Sequence, residues 1–234
     1  MWTYDAEQKG YKYIQADITL PIEDKETFLN EFWSFANEQT KYIFISQITS
    51  STGMILPASE IVIEAKKRGI KTIIDGAHVP AHIALDIKEL DPDYFTGALH
   101  KWLCCPKGIS FLYVKKEHQE GIQPMVKSWG WGEEYEKFKS STQLHSPSRF
   151  INVFQWQGTM DMSAFFTVPD AIKFQKEHDW DSVRSRCFKM IVEARTRIAE
   201  ITKLPKICPD SWLGHMATIL FPIDDTIAFK KSLY

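Results

Sequence analysis

Apolar and polar positions alternate along this chain with two periods, and the period switches where one element gives way to the next. Tyr11 to Ile18 alternates as a strand does. Glu23 to Asn37 instead carries Phe28, Phe32 and Phe35 at helical spacing, with Pro21 and Asp24 near its start. Lys41 to Ser46 predicts a second strand, closed by the polar turn Thr49 to Gly53. Pro57 opens a helix through about Lys67 that Arg68 and Gly69 end. Lys71 to Ile74 is a short buried strand running into Asp75. Ile87 to Leu90 predicts a helical turn, Tyr94 to Thr96 a strand, and Ile109 to Val114 another.

From Glu117 to Arg149 the pattern weakens, and Trp129, Gly130, Trp131 and Gly132 read as an exposed or interface loop. A long helical stretch then runs from Val168 to about Ile201, broken near Asp179, Trp180 and Asp181. Met216 to Phe221 predicts a last strand, and Thr226 to Leu233 a last helix. Strands alternating with helices at these intervals imply βαβ crossovers and an α/β fold with a largely parallel sheet. The boundary to a second domain falls between about 165 and 185.

Composition narrows the class. Lys and Arg total 28 against 30 Asp and Glu, so no net positive charge or basic run points to nucleic acid or a membrane surface. No apolar run is long enough to span a bilayer. Met1 to Asp5 has neither the basic nor the apolar character of a secretory leader. Cys104, Cys105, Cys187 and Cys208 form no metal or disulfide pattern, and read as reduced packing residues of a cytoplasmic protein.

Two places carry chemistry. Lys101 lies in an apolar, aromatic run with Leu99, Trp102 and Leu103. Such a lysine either snorkels from a strand end or is desolvated enough to offer a free amine for a Schiff base. Asp75 ends a buried strand, where open α/β sheets bind ligands, although Asp-Gly is also a common turn. Asp75, His78 and His82 could instead be metal ligands, but Pro80 argues against the helix that His-x-x-x-His needs. Gly97 to Lys101 lacks the glycine spacing and the following Ser or Thr of a phosphate-binding P-loop.

The runs Ile74-Asp75-Gly76-Ala77-His78 and Thr96-Gly97-Ala98-Leu99-His100-Lys101-Trp102, followed by Pro106 to Val114, resemble the class V aminotransferase family of pyridoxal phosphate (PLP) enzymes. Within it they are most similar to the isopenicillin N epimerase-like and cysteine desulfurase-like branch. The resemblance implies the aspartate aminotransferase-like fold (fold type I). On that basis residues 1–170 are a partial PLP-binding major domain, and 171–234 a connecting helix with part of a smaller α+β carboxyl-terminal domain.

Carried over by position, the resemblance makes Lys101 the Schiff-base lysine and proton shuttle. Asp75 becomes the partner of the pyridine nitrogen, and His78 meets the phenolic oxygen. His100 and Thr96 are phosphate contacts, and Ser50 is a polar residue facing cofactor or substrate. The desulfurase serine three residues before the lysine is Ala98 here. Gly158-Thr159 resembles a pair that reaches the cofactor phosphate of the neighbouring subunit, which implies a homodimer with a shared site. A helix-entry turn is the alternative for that pair. The substrate implied is an amino acid, and the reaction epimerisation, transamination or C–S cleavage.

Against the family, the chain reads as a fragment without the amino-terminal third and the end of the small domain. The stacking side chain, the substrate-carboxylate arginine and the desulfurase nucleophile are not identified in it. The second function class is accordingly a non-catalytic remnant that keeps the scaffold without a working PLP site.

Overall fold

The computed structural model describes residues 2–128, 131, 148–155 and 157–232. The expected loop at Trp129, Gly130 and Gly132 lies outside them. Four strands form one sheet in the order β1 (Tyr42–Ser46), β2 (Lys71–Asp75), β3 (Tyr94–Ala98) and β4 (Ser110–Val114). The first three run parallel and β4 returns antiparallel to β3. In register, Ser46 faces Asp75 and Asp75 faces Thr96, so three polar side chains line up where β1 and β2 end and β3 passes beside them.

Parallel neighbours require crossovers, and helices supply them. The first helices are α1 (Trp2–Lys9), α2 (Lys25–Ser34), α3 (Ala58–Lys67) and α4 (Ile87–Leu90). Asp24 caps α2 by accepting the Thr27 N–H at 2.8 Å. Ile61, Val62 and Ala65 of α3 are fully buried with Phe28, Ile43, Ile45, Ile74 and Phe95, the apolar set that the alternating pattern assigns to one sheet face. Trp212 and Leu213 close the same core from far along the chain.

The opposite face of the sheet is less covered. Tyr42 and Phe44 of the edge strand are about half exposed, with Trp2 of α1 leaning on Phe44 at 5.3 Å between ring centroids. Parallel strands are normally covered on both faces.

The later helices are α5 (Arg149–Gln155), α6 (Ser163–Phe166), α7 (Val168–Glu177), α8 (Trp180–Thr202) and α9 (Thr226–Ser232). The expected break near Asp179 is present: Asp179 adopts a left-handed backbone with φ 45° between α7 and α8. A second apolar cluster, Leu103, Cys105 and Ile109 against Ala164, Phe165, Val168 and Ala171, ties α6 and α7 to the loop that carries Lys101.

Two expected strands do not form. Tyr11 to Ile18 is mostly exposed and makes no ladder, and α1 precedes it, so the chain does not open on a strand. Met216 to Phe221 is also unpaired; in its place a single bridge joins Leu213 to Met54. Alternation shows which side chains could share a face, but a strand also needs a neighbour with free backbone groups, and among the described residues neither segment pairs with one.

Candidate active site

Lys101 follows β3 in a tight loop. Leu99 N–H donates to Ile109 O at 3.0 Å, Cys105 N–H to Leu99 O at 3.1 Å and Cys104 N–H to Lys101 O at 3.2 Å. Cys104 takes the left-handed conformation that closes the turn, with φ 62°. The buried side chains of Leu103 and Cys105 then anchor the loop to α6 and α7. All four cysteines are free; Cys105 and Cys208 are buried and Cys187 half-buried, whereas Cys104 is exposed and not the packing residue expected.

The other half of the cluster follows β2. Gly76 is buried with its backbone N–H on Thr96 O at 2.8 Å, and a Cβ there would meet the Phe95 ring at 2.0 Å. The absent side chain is what lets the turn after Asp75 lie directly on β3. Asp75 Oδ1 accepts the Ala77 N–H at 2.9 Å, and Oδ2 accepts the Ser46 hydroxyl at 3.3 Å. These bonds fix the carboxylate at the sheet end and leave it further acceptor capacity.

The two halves meet at an imidazole. Lys101 Nζ lies 3.0 Å from His78 Nε2, and the Trp102 indole N–H donates to His78 Nδ1 at 3.4 Å. An indole and an ammonium only donate, so the single lone pair of a neutral His78 ring goes to one of them, and the orientation of the ring against Trp102 and Lys101 decides which. Burial lowers the pKa of His78, the nearby Lys101 lowers it further, and Asp75 opposes both.

Behind His78 stands His82, 1% exposed. Its Nδ1–H donates to the His78 carbonyl at 3.1 Å, while Nε2 accepts the His215 N–H at 2.6 Å. Its ring lies 4.3 Å from that of Trp102 and 4.6 Å from that of His215. Burial, then His215, push its pKa down to about 4. With both nitrogens engaged, His82 has no lone pair for a metal. Trp180, at the start of α8, holds the same loop by donating to Ala81 O at 3.0 Å.

Of the residues singled out in the sequence, Asp75, Thr96, His78 and Lys101 are brought together at one end of the sheet. His100 is beside them, but its Nδ1 is spent on Ile109 O at 3.1 Å. Ser50 and Thr159 are exposed, and among the described residues neither makes a hydrogen bond to the cluster. Sequence reasoning passed over Ser46 and Trp102 and weighed His82 only as a metal ligand. The signals were present: Trp102 adjoins Lys101, and His82 follows His78 by four residues.

The sequence pattern of the family described as Aminotransferase class-V matches residues 7–228. This chain belongs to that family. It is 33% identical over 204 residues to "Isopenicillin N epimerase" of Streptomyces clavuligerus, covering 84% of this chain and 50% of the relative. It is 35% identical over 162 residues to "Hercynylcysteine sulfoxide lyase" of Schizosaccharomyces pombe, covering 68% and 39%. The chain thus spans about half or less of the length of these curated relatives. Among solved structures, the apo cysteine desulfurase from Thermococcus onnurineus NA1 matches with a TM-score of 0.73 at 19% identity, covering 94% of this chain and 53% of that one. The fold is therefore part of a fold type I major domain, and the family is one of PLP-dependent enzymes.

The cluster is chemically suited to that cofactor. An amine, a carboxylate with spare acceptor capacity and an imidazole converge at the sheet end, beside the Thr96 hydroxyl. They match, in order, an aldehyde, a ring nitrogen and a phenolic oxygen.

Proposed function

We propose that this chain carries the catalytic lysine of a PLP-dependent enzyme acting on an amino acid, by epimerisation, transamination or C–S cleavage. The observation that carries this reading is the 3.0 Å approach of Lys101 Nζ to His78 Nε2 at the end of the sheet that also presents Asp75. When bound, PLP supplies the electron sink that allows a bond at the substrate Cα to break.

The chain's own residues do the rest. Lys101 would hold the cofactor through its amine, and the same Nζ would take and return the proton at the substrate Cα. His78 would fix the position of the Lys101 amine through the 3.0 Å contact between Nε2 and Nζ. Asp75 keeps the cofactor's ring nitrogen protonated, and Ser46 and the Ala77 N–H hold that carboxylate in place. Thr96 and His100 serve the phosphate side, and Ser50 a polar wall toward cofactor or substrate. Thr159 contributes to the site of a second copy in a homodimer.

We assign residues 1–170 to the PLP-binding domain and 171–234 to the connecting helix and small domain, in a cytoplasmic protein. The test is a titration of the purified chain with PLP, followed by its visible absorption before and after borohydride. A band that borohydride abolishes in the unsubstituted protein and that Lys101→Ala never develops supports the assignment. Identical spectra from the two proteins refute it and favour the remnant.

A further inference from the structure

His82 is the most completely engaged polar side chain near the site, yet it touches neither Lys101 nor Asp75 in any described contact. It joins three segments. Its Nδ1–H holds the His78 carbonyl at 3.1 Å, its ring lies 4.3 Å from that of Trp102, and its Nε2 accepts the His215 N–H at 2.6 Å, a partner 133 positions away. Trp102 is in turn the donor to the His78 ring. His78 is therefore reached from His82 by two routes, one through its main chain and one through the indole.

The contact with the distal segment leaves no room for error. A Cβ on Gly214 would fall 2.3 Å from His82 Nε2, so only a glycine lets this backbone dock on the ring. Once docked, the His215 N–H takes the lone pair of Nε2 and fixes the ring proton on Nδ1, where it meets His78. Orientation passes along this series of bonds from residue 215 to residue 78.

We infer that His82 is a positioning residue through which the Gly214–His215 segment sets the orientation of His78 against Lys101. The inference rests on the reading of Lys101 and His78 as the cofactor site, and it also has a consequence that needs no cofactor. The His78 imidazole should occupy a single tautomer only while His82 holds its carbonyl.

The test compares the unsubstituted protein with His82→Asn, His82→Gln and Gly214→Ala. An asparagine amide replaces the donor at Nδ1, and a glutamine oxygen replaces the acceptor at Nε2. In protein carrying 15N-histidine and no PLP, long-range proton–nitrogen spectra report the tautomer of the His78 ring. The inference predicts one tautomer in the unsubstituted protein and the same one in His82→Asn. It predicts averaged tautomers in His82→Gln and Gly214→Ala. With PLP added, borohydride-trapped cofactor on Lys101 should fall about tenfold in those last two and recover in His82→Asn, in line with the sensitivity of reacting groups to small displacements.

A simple structural staple predicts otherwise: lowered thermal midpoints with His78 signals unchanged. That result overturns the inference, as does a loss in His82→Asn equal to that in His82→Gln. If the unsubstituted protein traps no PLP on Lys101, the functional reading fails, while the spectra still decide the role of His82.

Discussion

Lys101 Nζ and His78 Nε2 are 3.0 Å apart although 23 residues of chain separate them. The approach depends on β2 and β3 being parallel neighbours, because each delivers its following loop to the same end of the sheet. Asp75 ends β2 and Lys101 follows β3, so one topological fact places both. Asp75→Asn keeps the shape and the bond from the Ala77 N–H but removes the charge that a protonated ring nitrogen needs. PLP affinity, measured by absorption titration, should fall by about tenfold or more, the usual loss for a hydrogen bond to a charged partner.

Much of this arrangement is legible in the sequence because it rests on local signals. Lys71 to Ile74 is a short strand pattern that stops at a carboxylate, and Tyr94 to Thr96 one that leads towards the lysine loop. The breaks at Gly69 and Asp179 lie where chain direction changes. The missing parts are those that depend on partners distant in sequence. Tyr11 to Ile18 has the alternation of a strand but pairs with no edge among the described residues. Trp102 reads as core filling until His78 is seen under its N–H. The role of His82 requires residue 215, and no local pattern announces that contact.

One buried histidine and two half-buried ones make stability pH-dependent. His78, His82 and His215 all have pKa values below the ordinary histidine value of 6.5, mainly through burial, with His82 at about 4. The unfolded chain therefore binds protons that the folded chain does not as pH falls below 6.5. Stability is complete above that pH and is lost progressively towards pH 4. His82 alone contributes up to about 3 kcal/mol to this loss, because each tenfold drop in proton affinity on folding corresponds to roughly 1.4 kcal/mol. Thermal midpoints between pH 7.5 and 4.5 should fall on acidification, and His82→Gln should flatten the curve.

Gly76→Ala tests the close packing behind Asp75. The added methyl would overlap the Phe95 ring, since an ideal Cβ lies 2.0 Å from Phe95 Cζ. Phe95 is fully buried and cannot swing aside. Urea denaturation should show a loss of about 1–3 kcal/mol. The double variant with Phe95→Leu should lose less than the sum of the two single changes, because the smaller side chain vacates the space that the methyl needs.

Arg195 tests how the 207–213 segment is held. It is 2% exposed, pairs with Asp210 and donates to Cys208 Sγ at 3.4 Å. Asp210→Ala would leave a buried guanidinium without its carboxylate, at a cost of about 3–5 kcal/mol. Arg195→Met, which removes the charge and keeps most of the volume, should cost less, as read from urea midpoints.

The most direct test of the central claim is to locate the trapped cofactor. The chain is incubated with PLP, reduced with borohydride and digested, and the modified peptide is sequenced by mass spectrometry. A pyridoxyl group on Lys101, in stoichiometric yield and ahead of the other lysines, is the predicted result. Label spread over several lysines with no preference for Lys101 would contradict the account.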